Sequence, residues 1–540
     1  MAEITGSELV ARALKQEGVE VIFYLMGGPI SPLVGESEKL GIRSVYVRHE
    51  QTAAMAAHAY ARATGKTGVC AATAGPGALN ALTGIANATA DACPVVCLGG
   101  SGALGDILTG GFQEMDQTPM FKSMTKLAFQ ATITARLPEY LSVAFREAQD
   151  GCKGAVYIDL PGDVLDAKVD EAKVLFPTNY RYTSRSMGNP GDVQKAIEIL
   201  AKASRPVVVT GSGVLWSEAS EELRRFVDAT GMPFYTTPQG RGVIPEDHKL
   251  FFGAARSQAF READAVLVVG TRANSMLFNF RAPRWNADAK FINVNIDGRA
   301  FGHNRAVDVG ILGDAKMVLG QLTDAAKGAI KPARYSQWAE QLRATDAARL
   351  ERMDKVLSSS QTPIHPLRLC KELREVMRRD AIVVVDGNEI LSFARHSIPT
   401  YYPRHRINAG PHGVMGIGVP FGIGAQVAHP DKQVVVISGD GSFGWNGMDM
   451  DTAIRFKLPI KVVISNNAGF TAESAYSRVG RQLGWVRYDK MFGAIGAHAE
   501  WVEEPDKIRP ALERAFKAEG PAIVNVKTDP KAAAGSAVGL

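Results

Sequence analysis

A chain of 540 residues is too long for one ordinary domain, so three or so units of roughly 100–200 residues each are expected. Apolar residues at 46% and charged residues at 22% fit a globular protein, and a net charge of +5 without a long basic run argues against a nucleic-acid partner. No charge-free apolar run reaches the roughly 18 residues that a membrane span needs, and Glu3, Glu8, Arg12, Lys15 and Glu17 interrupt any secretory leader. The few cysteines, Cys70, Cys93, Cys97, Cys152 and Cys370, are odd in number and sit mostly in apolar surroundings. They fit buried thiols in a reducing, cytoplasmic compartment better than a disulfide framework or a metal site.

In chain order, Leu9, Leu14 and Val19 mark one face of an amphipathic first helix. Val19–Leu25 reads as a strand running into the turn Met26-Gly27-Gly28-Pro29. A strand over Ser44–Arg48 and an Ala-rich helix over Glu50–Thr64 follow. Gly68–Ala72 is a buried strand that enters the turn Thr73-Ala74-Gly75-Pro76-Gly77 and then a helix through Ala90, with another strand at Pro94–Gly99. This rhythm predicts a parallel sheet covered on both faces. Polar, Pro and Gly residues make Phe176–Asp192 a linker. Strands at Pro206–Thr210, Ala265–Val269 and Lys290–Asn295 define a second unit. A charged helix and the stretch Leu357-Ser-Ser-Ser-Gln-Thr-Pro363 lead to a third, with strands at Ala381–Val385, Gln433–Ser438, Ile460–Ser465 and Ala522–Val526. The expected fold is α/β, three doubly wound parallel-sheet domains over residues 1–175, 190–328 and 360–540, with a mobile tail from Pro530.

The strongest chemical signal lies in the third unit. A strand ends in Gly439-Asp440-Gly441-Ser442, a helix over Gly447–Phe456 is expected next, and the following strand ends in Asn466-Asn467. Asp440 and Asn467 therefore sit at the carboxyl ends of two parallel strands, where open α/β sheets bind ligands. Mg²⁺ favours hard oxygens: the Asp440 carboxylate, the Asn467 amide and a backbone carbonyl near Gly469. The small residues Gly441 and Ser442 would let backbone N–H groups reach a diphosphate. In the first unit, Val47-Arg48-His49-Glu50 ends a strand and opens a helix. On local grounds alone Glu50 is a helix-start acid that complements the dipole.

Together these motifs resemble the thiamine-diphosphate enzymes of pyruvate oxidase and acetolactate synthase type. The resemblance implies thiamine diphosphate and Mg²⁺ as cofactors, and pyrimidine-binding, central and diphosphate-binding domains in that order. It implies that Glu50 bonds the pyrimidine N1′ and so drives activation of the thiazolium carbon. It gives Gly75, Pro76 and Asn80 to the loop lining the same cleft, and Gly413 and Met415 to the segment gripping the pyrimidine, with Gly439 opening the diphosphate turn. It further implies that two chains build each site, hence a homo-oligomer, a dimer of dimers.

Within that superfamily the chain resembles 2-hydroxyacyl-CoA lyase and oxalyl-CoA decarboxylase over nearly its full length. The shared stretches include Gly27-Gly28-Pro29-Ile30, Gly111-Phe112-Gln113-Glu114-Met115-Asp116-Gln117, Gly253-Ala254-Ala255-Arg256-Ser257 and Pro403-Arg404-His405-Arg406. Gln113, where the decarboxylase has glutamate, favours the lyase and would position the substrate hydroxyl. The activity implied is cleavage of a 2-hydroxyacyl-CoA to an aldehyde or ketone plus formyl-CoA. An acetolactate-synthase-like carboligase and a 2-oxoacid or oxalyl-CoA decarboxylase stand as alternatives. Arg256, Arg272, Arg404 and Arg406 are expected to meet phosphates of an acyl-CoA substrate or a nucleotide such as ADP, with Asp297 on a ribose. The chain departs from the lyase pattern at Phe470-Thr471-Ala472-Glu473, where a tyrosine stands in the family and where Glu473 could face substrate. It also has a short tail beyond Asp529.

Overall fold

Runs such as Val207-Val208-Val209 and Val434-Val435-Val436-Ile437 have no polar alternation, so strands built from them must be covered on both faces, and their β-branched side chains suit extended backbone. The computed structural model, which describes residues 2–470 and 479–533, arranges them in three parallel sheets. The first domain contains β1 (Glu3–Thr5), β2 (Val21–Tyr24), β3 (Arg43–Tyr46), β4 (Gly68–Ala72), β5 (Val95–Ser101), β6 (Leu127–Gln130), β7 (Ala155–Pro161) and β8 (Lys168–Asp170). Its sheet order is β3-β2-β4-β5-β7-β6, while β1 and β8 form a separate antiparallel pair. Helix α1 (Glu50–Thr64) follows β3 and α2 (Pro76–Ala90) follows β4.

The linker ends at Asn189, earlier than the sequence suggests. The Asn189 side chain accepts from Gly191 N at 2.9 Å, and Pro190 opens a helix through Lys202, the ordinary use of an Asn-Pro pair at a helix start. The central sheet comprises β9 (Pro206–Thr210), β10 (Phe234–Thr236), β11 (Ala265–Val269), β12 (Lys290–Asn295) and β13 (Val309–Leu312), in the order β10-β9-β11-β12-β13. A charged helix over Ser336–Leu357 leads to the third domain. That domain has β14 (Ile382–Asp386), β15 (Arg406–Ile407), β16 (Val434–Gly439), β17 (Lys461–Asn466), β18 (His498–Val502) and β19 (Ala522–Lys527), ordered β15-β14-β16-β17-β19-β18.

In the first sheet the chain leaves β2 toward β3 on one side and β4 on the other. In the third sheet it leaves β14 toward β15 and β16 in the same way. The crevices at these two switch points are where ligands of doubly wound sheets bind. The first and third domains share one hydrophobic core through α1 and α3 (Gly418–Ala428). Small side chains let these helices touch: a Cβ added to Gly424 would stand 2.2 Å from the Ala56 carbonyl oxygen. All five cysteines are free, and only Cys152 is not fully buried. Among the described residues no helix is long and apolar enough to cross a membrane.

Candidate active site

The helix after β16 starts at Asp440, not at Gly447 as the glycine-rich sequence suggests: α4 (Asp440–Asn446) passes through a single turn at Gly447–Asp449 into α5 (Met450–Arg455). Asp440 is 1% exposed, and its Oδ2 has no hydrogen-bond partner among the described residues. Burial pushes its carboxyl up to about 7, against the pull of the backbone N–H groups of Asn467 and Gly441. The Asn467 side-chain amide lies between the Asp440 Oδ1 and the Gly469 carbonyl oxygen, its Nδ2 donating to them at 2.9 and 2.8 Å. Turned over, the amide would present its oxygen to a cation held between that carboxylate and that carbonyl. A single carboxylate, an amide oxygen and a carbonyl are the hard donors that Mg²⁺ takes, so the residues fit that ion. The Gly469 turn is held by Phe470 N donating to Arg481 O at 2.9 Å and Leu483 N donating to Ala468 O at 2.8 Å. The Phe470 ring lies against Gly441, where an added Cβ would be 2.6 Å from it. Glu473 and the last residues of the tail lie outside the described residues.

Asp386, at the end of β14, was not singled out by its local sequence. It is fully buried, accepts from Gly418 N at 2.9 Å and from the Ser442 hydroxyl, and burial raises its carboxyl to about 7. It thus ties the start of α4 to the segment before α3. That segment turns through left-handed glycines at Gly410, Gly413 and Gly416, with Met415 half-buried between them.

In the first domain Glu50 is 6% exposed at the start of α1, and Asn80 Nδ2 donates to its Oε2 at 3.0 Å. Pro76 occupies the first turn of α2, and Gly77 leaves the room Glu50 needs. Gly75 has φ +58°, and a Cβ there would lie 2.8 Å from the Gln113 carbonyl oxygen. Gln113, itself left-handed at φ 59°, therefore sits directly on the turn beside Glu50. Its loop is closed by Glu114, whose Oε2 accepts from Gly110 N at 2.8 Å and Gly111 N at 2.9 Å. No hydrogen bond or ion pair joins Glu50 to Asp440 within the described residues.

A cavity of about 340 Å³ opens between the first and central domains, lined among others by Arg146, Lys153, Arg185, Arg272 and Asp297. Arg272 donates to Ala90 O at 2.7 Å, and Asp297 is held below the usual carboxylate range by Arg299. The other expected phosphate ligands behave differently. Arg404 is turned inward, donating to Leu215 O at 2.8 Å and Arg62 O at 3.1 Å over the Trp216 ring. Arg406 is 3% exposed and donates toward Ile398 O at 3.5 Å. Arg404 thus joins the third domain to the first and central ones, while Arg406 bonds a carbonyl within its own domain. Arg256 lies over the Phe260 ring, its buried Nε without a hydrogen-bond partner among the described residues, and burial, with Arg395 alongside, pulls its guanidinium down to about 10. Arg395 is a further cation that sequence reasoning did not identify.

Two strand-end crevices, one offering three hard oxygens beside a helix start and the other a buried carboxylate, define the arrangement of an enzyme that holds a diphosphate cofactor at one end and its ring at the other. Family models described as "Thiamine pyrophosphate enzyme, N-terminal TPP binding domain", "central domain" and "C-terminal TPP binding domain" match residues 4–120, 193–322 and 387–526. The chain is 33% identical to the 2-hydroxyacyl-CoA lyase of Arabidopsis thaliana over 99% of its own length and 97% of that protein's. It is 34% identical to the oxalyl-CoA decarboxylase of Escherichia coli (strain K12), covering 98% of this chain and 95% of that one. It is 32% identical to a probable acetolactate synthase large subunit of Methanococcus aeolicus, covering 98% and 93%. The chain belongs to the thiamine pyrophosphate enzyme family, as a thiamine-diphosphate-dependent enzyme of the carbon–carbon lyase class.

Proposed function

We propose that this enzyme cleaves 2-hydroxyacyl-CoA thioesters between the thioester carbonyl and the hydroxyl-bearing carbon. The products are an aldehyde or ketone and formyl-CoA, and the reverse reaction is an acyloin-type condensation. The observation that carries this reading is the seat of Gln113. Its backbone and Cβ rest against Gly75, which seats an uncharged side chain on the turn beside Glu50, one able to hold a hydroxyl without adding charge.

Thiamine diphosphate, when bound, supplies the nucleophilic carbon and the electron sink for bond cleavage. Asp440, Asn467 and the Gly469 carbonyl would hold Mg²⁺, and the N–H groups of Gly441 and Ser442 would receive the diphosphate. Glu50, fixed by Asn80, would hold a proton at the pyrimidine ring of the cofactor, and Met415 would pack against that cofactor. Arg256, with a buried Nε that has no hydrogen-bond partner among the described residues and with Arg395 alongside, suits a phosphate of the CoA moiety. The cavity with Arg272 and Asp297 suits ADP.

A homo-oligomer completes the reading, with Glu50 of one chain serving the Asp440 corner of another in a dimer of dimers. Leu108 at 93%, Phe112 at 91% and Trp445 at 60% exposure leave apolar surface around both halves of the site, which supports such pairing. The test is turnover of 2-hydroxyacyl-CoA, oxalyl-CoA and pyruvate in parallel, with thiamine diphosphate and Mg²⁺ supplied. Formyl-CoA formed from the hydroxyacyl thioester is the expected result. Turnover of pyruvate alone points to the carboligase, and of oxalyl-CoA alone to the decarboxylase.

A further inference from the structure

We propose that Asp449 is a positioning residue for Glu50. The two lie in different domains: Glu50 opens α1 of the first, and Asp449 ends the single turn that joins α4 to α5 in the third. Asp449 is 1% exposed, yet its carboxylate is fully engaged. Its Oδ1 accepts from Arg48 N at 2.8 Å and from the Thr452 hydroxyl at 2.7 Å, and its Oδ2 accepts from the Thr52 hydroxyl at 2.5 Å. Arg48 and Thr52 flank Glu50 on both sides in sequence, so the carboxylate grips the turn from which Glu50 projects. The same turn is also held by His49 Nδ1 accepting from Gln51 N at 3.1 Å and, more loosely, by Arg48 Nε pairing with Asp451 Oδ2 at 3.7 Å.

The grip extends back toward the metal corner. Asp449 stands on the same helical segment that Asp440 begins, and Asn446 on that segment donates to Gly416 O at 2.9 Å, beside Met55 of α1. One rigid rod therefore carries an oxygen ligand at its start and the clamp on the first domain's acid at its far end. A buried carboxylate with charge-assisted bonds to backbone and hydroxyl donors fixes geometry more tightly than an apolar contact of the same area. Asp449 touches no reacting atom in this account. It acts by keeping the Glu50 carboxylate oriented toward the ring nitrogen, and so it rests on the reading of Glu50 given above.

The test uses the full chain loaded with thiamine diphosphate and Mg²⁺, and reads the exchange of the cofactor's C2 proton for deuterium by NMR, per bound cofactor and without substrate. Cofactor affinity and melting temperature are measured alongside. Asp449→Ala and Thr52→Val are expected to slow exchange about 10- to 100-fold while cofactor remains bound. Asp449→Asn, which can still accept from Arg48 N and donate to the Thr52 oxygen, is expected to restore most of the rate. Thr52→Val guards against misfolding of the alanine variant, since it keeps shape and removes one bond. Wild-type exchange in Thr52→Val and Asp449→Ala, with Glu50→Gln slow, overturns the positioning role and leaves Glu50's role intact. Wild-type exchange in Glu50→Gln overturns the underlying reading of Glu50, and the positioning role with it.

Discussion

Replacing Gly77 with alanine would put a methyl group into the tightest part of Glu50's surroundings. The added Cβ would stand 2.6 Å from Thr73 Cγ2 and 3.2 Å from Glu50 Oε1. Carbon atoms pack at about 3.5–4.0 Å, so roughly 1 Å of movement is required. Thr73 has little room to give, because it closes on Gly27, where an added Cβ would be 2.1 Å from Thr73 Cβ. Nor can α2 simply back away, since it carries Asn80, which holds the Glu50 carboxylate at 3.0 Å. The strain therefore falls on Glu50. Overpacking of this kind costs about 1–3 kcal/mol in stability, a melting shift of a few degrees up to about 10 °C in domains of this size. The kinetic penalty is larger, because a displacement of about 1 Å at a catalytic group can lower the rate about 100-fold. Steady-state turnover, thermal melting and cofactor uptake on the same preparation separate the two effects. A Gly77→Ala enzyme with turnover within about twofold of wild type and an unchanged melting point would refute the reasoning.

Gly424→Ala should part α1 from α3, because its methyl would meet backbone, the Ala56 carbonyl oxygen at 2.2 Å, which no rotamer can relieve. Urea unfolding should show a loss at or above the upper end of about 1–3 kcal/mol, and an unchanged midpoint would contradict that close contact. His396 is held down to about 4 by burial first, then by the cations Arg395, Arg256 and Arg241. Between about 4 and its ordinary 6.5 the unfolded chain takes up a proton that the fold refuses. Its contribution is therefore complete above 6.5 and is lost as the pH falls toward 4, by up to about 3 kcal/mol. His396→Gln should flatten the stability profile in that window, and identical profiles for the two proteins would count against it.

The sequence revealed most where chemistry is written locally. Apolar runs without alternation marked the buried strands, and Pro206–Thr210, Ala265–Val269 and Lys290–Asn295 match their expected bounds. Asp440, Asn467 and Gly469 could be brought together on paper because each ends or follows a strand of one sheet. Three things escaped. The start of α4 was displaced because Gly441 and Gly444 are poor helix formers, and packing against β16 and β17 overrides that preference. Asp386 and Asp449 look like ordinary acids, since the partners that make them informative lie far along the chain: Gly418 and Ser442 for one, Arg48 and Thr52 for the other. And nothing in Pro403-Arg404-His405-Arg406 says which way a guanidinium points. Arg404 and Arg406 turn inward, where the carbonyls of Arg62, Leu215 and Ile398 accept from them.

The measurement closest to the central claim is equilibrium uptake of thiamine diphosphate by the purified apo-chain, with and without Mg²⁺, for wild type and Asp440→Ala. The account predicts about one cofactor retained per chain by the wild type, only when the cation is supplied, and little or none by the variant. Retention that is indifferent to both the cation and Asp440, or no retention by the wild type at all, would contradict it.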